Sequence, residues 1–399
     1  MFESTTLPLS QALSHIIDHR GLTPAKLGTT FIASGVPVAS AMSVSRGVLD
    51  RDTFRFVDSE TAARWMPVPL APGDVLLTSE APLGRVARVP TNQRIVLGQR
   101  LFGLRGRSGV LENAFLYYWL QTPGAQAQLA GRATGTTVLG IRQSALRDIR
   151  IDVPAVSLQR AIAEVLGALD DKIAANTRVG ATSQALLRER FEALGIMAGG
   201  QDRLTDIVTL NPRSEGTFGS TPIHLSMQDL PTSDMAVSRW GTRPPNGGSR
   251  FMQGDTLLAR ITPCLENRKA GLVTFLAQGQ IGAGSTEFVV LRPRPGIPTA
   301  VPYLIATHED FRQFAIQHMV GTSGRQRISP LDLSRFGLLL PPSEVWSNFA
   351  TFSDPIVSLH ASLASESRAL EELRDTLLPK LMSGQLRVKD AEKQVEDVV

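Results

Sequence analysis

At 399 residues, 42% hydrophobic and 20% charged, the chain is too long for one ordinary domain and too apolar for a disordered one. No apolar run approaches the roughly 20 residues that span a bilayer, and the start MFESTTLPLS lacks the basic and apolar stretches of a secretory signal, which predicts a cytoplasmic protein. A single cysteine, Cys264, excludes an internal disulfide and a thiolate metal cluster.

The net charge of +4 is unevenly placed. Residues 1–150 carry 16 basic against 10 acidic side chains and residues 200–340 carry 14 against 11, whereas 151–199 have 5 against 6 and 341–399 have 6 against 10. Two basic segments are each followed by an acidic one, which points to a polyanionic partner for the basic pair.

In chain order, short β-branched runs bounded by turn residues predict strands at Asp74 to Thr78 and Arg94 to Leu97, then a short helix at Ala114 to Gln121. Pro154 closes this region. From Leu158 apolar residues fall at helical spacing, with Ile162, Val165, Leu169 and Ile173, then more raggedly Val179, Leu186, Phe191 and Leu194. A strand at Glu287 to Leu291 and a helix at Tyr303 to Phe314 follow, closed by Pro341 and Pro342. The last helix has the cleaner seam: Phe349, Phe352, Ile356, Leu359, Leu363, Leu370, Leu373, Leu377 and Leu381. Such a narrow stripe over more than four heptads requires a partner, and the other helix is the obvious one. Asn176 and Glu366 interrupt the two seams, as polar residues that fix register do.

The order of these elements repeats because the chain is an internal duplication. PGDVLL at Pro72 to Leu77 recurs as QGDTLL at Gln253 to Leu258, LRGRSG at Leu104 to Gly109 as LRPRPG at Leu291 to Gly296, and IRQSALRDIRIDVP at Ile141 to Pro154 as ISPLDLSRFGLLLP at Ile328 to Pro341. The offset is 181 residues for the first pair and 187 for the others. A helix of about 33 residues spans roughly 50 Å, so two basic domains held that far apart are expected to read patches more than one duplex turn apart. Divergence between the copies predicts different half-sites.

Several segments resemble the specificity subunits of type I restriction-modification enzymes. IIDHRGLTPAKLG at Ile16 to Gly28 and DIVTLNPRSEG at Asp206 to Gly216 are similar to the starts of that family's target-recognition domains. IDVPAVSLQRAIAEVLGALDDKIAANTRV at Ile151 to Val179 and ALEELRDTLLPKLMSGQLRV at Ala369 to Val388 resemble its central and distal helices. The resemblance implies an α+β chain: a first target-recognition domain at 1–154, a central helix at 155–198, a second domain at 199–341, a distal helix at 342–388 and a tail at 389–399. The two helices would pair as an antiparallel coiled coil. The implied function is recognition of an asymmetric bipartite site on double-stranded DNA, without catalysis, by a chain that positions two adenine-methyltransferase subunits and restriction subunits. S-adenosylmethionine, ATP and Mg²⁺ would belong to those partners, with no cofactor or metal in this chain and no membrane.

The residues hold no competing chemistry. His15 and His19 have zinc-ligand spacing but no general base, and Gly282-Ala283-Gly284 lacks the third glycine of a dinucleotide fingerprint. Arginine outnumbers lysine 35 to 6, and arginine can bond guanine bidentately or clamp phosphate. Gly-flanked polar loops supply the candidate DNA contacts. In the first copy these are Arg105, Arg107, Arg132, Thr134, Thr136 and Thr137, and in the second Arg292, Arg294, Thr322, Ser323, Arg325 and Arg327. Arg239, Arg243, Asn246 and Arg250 in SRWGTRPPNGGSR join them. The alternative is a structural adaptor that binds DNA without sequence preference, which predicts only the steep salt dependence of phosphate contacts.

Overall fold

A computed structural model describes residues 3–45, 47–90, 93–197, 199–244, 246–322, 324–396 and 398. The chain divides into two compact units, residues 1–170 with 372–399, and residues 171–371.

The first unit is built on a four-stranded antiparallel sheet in the order Leu13–Ile17, Leu101–Gly106, Val75–Thr78, Val86–Arg88. Its central strands are apolar on both faces, with Val75, Leu76, Leu77, Leu101, Phe102 and Leu104 all fully buried. A smaller sheet, Arg55–Val57, Val36–Ala39, Val96–Leu97, adds Val38, Val57 and Val96 to the same core as Trp65. The helix Ser59–Trp65 is started by Asp58, whose carboxylate accepts from the Thr61 N–H at 2.8 Å.

The second unit repeats the plan. Its main sheet has the order Val208–Leu210, Phe288–Pro293, Thr256–Ala259, Ala270–Leu272, again antiparallel throughout. Beside it lies a sheet of Gly241–Thr242, Ile223–Leu225, Gly282–Gly284 and Ser249–Phe251. The helix expected over Tyr303 to Phe314 is two helices, Ala300–Thr307 and Glu309–Gln317. His308 breaks them with extended backbone, and its ring nitrogen accepts from the Asp310 N–H at 3.2 Å. The first copy breaks at Thr122 between Asn113–Gln121 and Pro123–Gly131, where the threonine hydroxyl accepts from the Ala125 N–H at 3.2 Å.

Two long helices, Val156–Glu192 of 37 residues and Ser343–Met382 of 40, pair antiparallel. In the first unit Ile162, Val165 and Leu169 are buried, as are Leu377 and Leu381, and Asp170 accepts from Arg374 at 2.8 Å and from the Tyr118 hydroxyl at 2.7 Å. In the second unit the Asn176 amide donates to Glu366 at 2.8 Å and to Ser367 at 3.3 Å, and Lys172 reaches Glu366 at 3.1 Å. The two polar interruptions of the seams thus bond to each other.

The seam differs from the apolar pattern in one row. Ile356, Leu363, Leu370 and Leu377 face inward or partly so, but the alternating inward row is Ser353, His360, Ser367 and Arg374. Phe352 and Leu373 are half-buried at its flank, and Leu359 is 37% exposed where His360 is 6%. The cause lies on the facing helix. Ser183 bonds the His360 ring at 3.0 Å, and Gly180, which has no side chain, leaves the imidazole room. On the central helix Leu187 is fully buried and Leu186 is 51% exposed, because a helix of 3.6 residues per turn drifts about 20° per heptad against a seven-residue repeat. The inward stripe there runs through Asn176, Gln184, Leu187 and Phe191, with Ile173 half-buried before it.

Candidate nucleic-acid interface

Each copy folds one Gly-Thr loop against the turn that leaves its Gly-Asp strand. In the first unit the Ser79 N–H donates to the Arg100 carbonyl and the Ile141 N–H to the Ser79 carbonyl, both at 2.9 Å. Thr134 and Gly140 then exchange two backbone bonds of 2.8 and 3.0 Å, closing a loop that displays Thr136, Thr137, Val138 and Leu139 to solvent. In the second unit the corresponding bonds are Arg260 to the Glu287 carbonyl, Ile328 to the Arg260 carbonyl, and the Val320 and Arg327 exchange, at 2.9–3.0 Å. Ser79 and Arg260 are 181 residues apart, Arg100 and Glu287, Ile141 and Ile328, and Gly140 and Arg327 are 187 apart, as in the sequence repeat, and Thr134 and Val320 are 186 apart.

Glycine is required at the base of both loops. Gly135 has φ +123° and Gly321 φ +142°, and a Cβ at Gly135 would strike the Val138 carbonyl while one at Gly321 would lie 2.8 Å from the Arg325 carbonyl. Thr136 and Thr322 follow those glycines in both copies, and the tips carry the variation: Val138 and Leu139 in one copy, Gly324 and Arg325 in the other, all exposed. Ser323 lies outside the described residues.

The predicted arginines fall into three places. Arg105 and Arg292 hold the sheets together: Arg105 makes a bidentate pair with Asp74 at 2.7 and 2.8 Å, and Arg292 the same pair with Asp255 at 2.7 Å twice. Both carboxylates are buried and also accept a backbone N–H of their own turn, from Ala71 and Met252. Arg107 and Arg294, two residues on, are exposed where that strand ends, seven residues from Arg100 and Glu287, whose carbonyls meet the loop turn, a run of roughly 23 Å at 3.3 Å per residue. The structure therefore does not bring the LRGRSG and GRATGTT arginines together.

At the loops themselves stand Arg132, half-buried on the Gln128 carbonyl, Arg325, exposed, and Arg327, which grips Glu287 at 2.8 Å. The Arg327 guanidinium, followed by that of Arg260, holds the Glu287 carboxyl below the usual carboxylate range. In the Gly/Pro-rich stretch Asn246 and Arg250 are exposed, and Arg239 pairs with Glu371 at 3.0 Å. Arg243 donates to the His224 ring at 2.6 Å. Burial, then the Arg243 charge, pushes that imidazole down, which keeps it neutral and able to accept.

Sequence reasoning missed a cleft of roughly 450 Å³ in the first unit, beside its Gly-Thr loop. Arg20, Arg100 and Arg142 line it with Ser79, Glu80 and Thr134. Arg20 lies over the Phe102 ring at 4.1 Å and pairs with Asp18 at 2.8 Å. The three arginines are spread over 122 residues of the chain, with nothing in spacing to group them. Among the described residues no group of three or more His, Cys, Asp or Glu side chains is arranged to hold a metal ion, and no helix is long and apolar enough to cross a membrane. His15 lies on the strand Leu13–Ile17, not on a helix.

Residues 68–181, which span the Gly-Asp strand, the cleft lining other than Arg20, the Gly-Thr loop and the start of the central helix, match the family described as Type I restriction modification DNA specificity domain. This part of the chain carries a type I restriction-modification DNA specificity domain. The chain is similar to the EcoEI specificity subunit of Escherichia coli, with 27% identity over 194 residues, 46% of this chain and 32% of that one. The match thus spans about a third of that relative. The MjaIX specificity subunit of Methanocaldococcus jannaschii is 28% identical over 356 residues, 80% of this chain and 78% of its own. The S subunit of M. genitalium, known as a crystal structure, shares the fold with a TM-score of 0.55 at 14% identity, covering 95% of this chain and 96% of the other. The Asp–Arg pair and the loop frame recur in both copies, and the loop tips are where the two copies differ.

Proposed function

We propose that this chain reads double-stranded DNA at an asymmetric bipartite site, each copy contacting one half, and carries no catalytic group of its own. One observation supports this most: the two copies keep the same hydrogen-bonded loop frame, with Thr136 and Thr322 alike after the glycine, while displaying different residues at the tip, Val138 and Leu139 against Gly324 and Arg325. A common frame with different tips is what two readers of different sequences need, because sequence is read by the side chains that reach base edges. Arg107, Arg132, Arg243, Asn246, Arg294 and Arg325 are the residues proposed to face DNA, with Arg327 beside Arg325 at the loop. Arg105 and Arg292 contribute by fixing the sheet from which the loops project.

The relatives' role as specificity subunits supports two methyltransferase subunits and restriction subunits as partners, in the cytoplasm. S-adenosylmethionine, ATP and Mg²⁺ would be bound by those partners. Single-molecule methylation sequencing of host DNA with and without the gene tests the reading. Loss of methyl-adenine at one bipartite motif is expected; an unchanged methylome in cells that make the partner subunits would contradict it and favour an adaptor.

A further inference from the structure

The cleft of the first copy has a feature that its sheet does not need. Arg100 takes φ +64°, a left-handed conformation that costs a residue with a Cβ and suits glycine. Such strain persists only where the surrounding structure enforces it, and strained residues cluster at binding and catalytic sites. The Arg100 side chain is 54% exposed, and its partner Glu80, 3.1 Å away, is 40% exposed, so the pair is screened and weak. Arg142 is exposed with no side-chain partner among the described residues. Between them Ser79 presents a buried hydroxyl without a hydrogen-bond partner among the described residues.

The second copy answers differently at the same register. Where Arg100 offers its carbonyl to Ser79, Glu287 offers its own to Arg260, and the residue after Ile328, in the place of Arg142, is Ser329. Glu287 is held by Arg260 at 3.1 Å and Arg327 at 2.8 Å, so a carboxylate occupies the position that carries a guanidinium in the first copy.

We propose that the first copy's cleft seats one DNA phosphodiester, held by Arg100 and Arg142 with Ser79 as a further donor, and that this contact belongs to the first half-site alone. The proposal rests on the DNA-reading function above. When phosphate enters, Arg100 exchanges the exposed Glu80 carboxylate for the phosphate oxygens, and Arg142 gains its first partner.

The test is the salt dependence of binding to a long mixed-sequence duplex, measured by fluorescence anisotropy with the full chain from about 50 to 200 mM salt. Arg100→Gly with Arg142→Gln should lower the slope of log affinity against log salt by about 0.9 for the one phosphate lost. Because glycine suits the left-handed backbone, Arg100→Gly alone should melt no lower than the wild type, which separates lost contact from lost fold. Arg100→Lys should keep the wild-type slope. A slope unchanged in the double variant, with the wild type binding well, overturns the phosphate seat and leaves the DNA reading intact. A wild-type chain whose DNA affinity is absent or indifferent to salt overturns both.

Discussion

Asp74 and Asp255 are fully buried carboxylates 181 positions apart, and each does two jobs. One oxygen accepts a backbone N–H of the turn that precedes the strand, and the pair together takes the guanidinium fork from the neighbouring strand. Buried charges are tolerated only when paired and fully bonded, and breaking such a pair costs about 3–5 kcal/mol. Asp255→Asn should therefore destabilise the second unit by about 3 kcal/mol, the lower end because Arg292 keeps some solvent. Asp74→Asn should do the same to the first. Urea denaturation followed by tryptophan fluorescence checks both; a loss under 1 kcal/mol would mean that the arginine finds another partner. The GD and LR motifs that repeat in sequence are accounted for by this pair, and that is why their arginines point into the sheet instead of toward a ligand.

At the level of elements, most of the plan was legible in the sequence and the errors share a cause. The repeat offsets of 181 and 187 residues reappear as equivalent backbone hydrogen bonds, and the two long helices pair as their periodicity predicts. Apolar periodicity misplaced half of the distal seam because it follows hydrophobic residues, whereas Ser353, His360 and Arg374 turn inward and Leu359 stays partly exposed. A polar side chain can occupy a helix interface when the opposite helix answers it, and that information sits in the partner: Ser183 for His360, Asn176 for Ser367, Asp170 for Arg374. The same limit explains the missed cleft, whose arginines come from the segment after one strand, the residue before another and the start of the helix Gln143–Arg147. On the central helix the distinction is directly measurable. Leu187→Ala should cost about 2–5 kcal/mol, as for a filled core position, and Leu186→Ala within about 0.5 kcal/mol. Equal costs in thermal melts would return the seam to the simpler pattern.

For the whole molecule, duplication provides two copies of one scaffold, and divergence of the exposed tips gives each its own surface. The first copy shows threonines and an arginine-lined cleft, the second Arg325 and a carboxylate gripped by two arginines. If each copy reads one half of the target, a change confined to one loop must alter one half-site only. Methylation sequencing of cells carrying Arg325→Ala in place of the wild-type gene measures this most directly. The account predicts that the half of the methylated motif read by the second copy relaxes or changes while the other half stays as it was. A motif altered in both halves, or altered only in the half that first-copy variants such as Arg132→Ala also change, would contradict one copy reading one half.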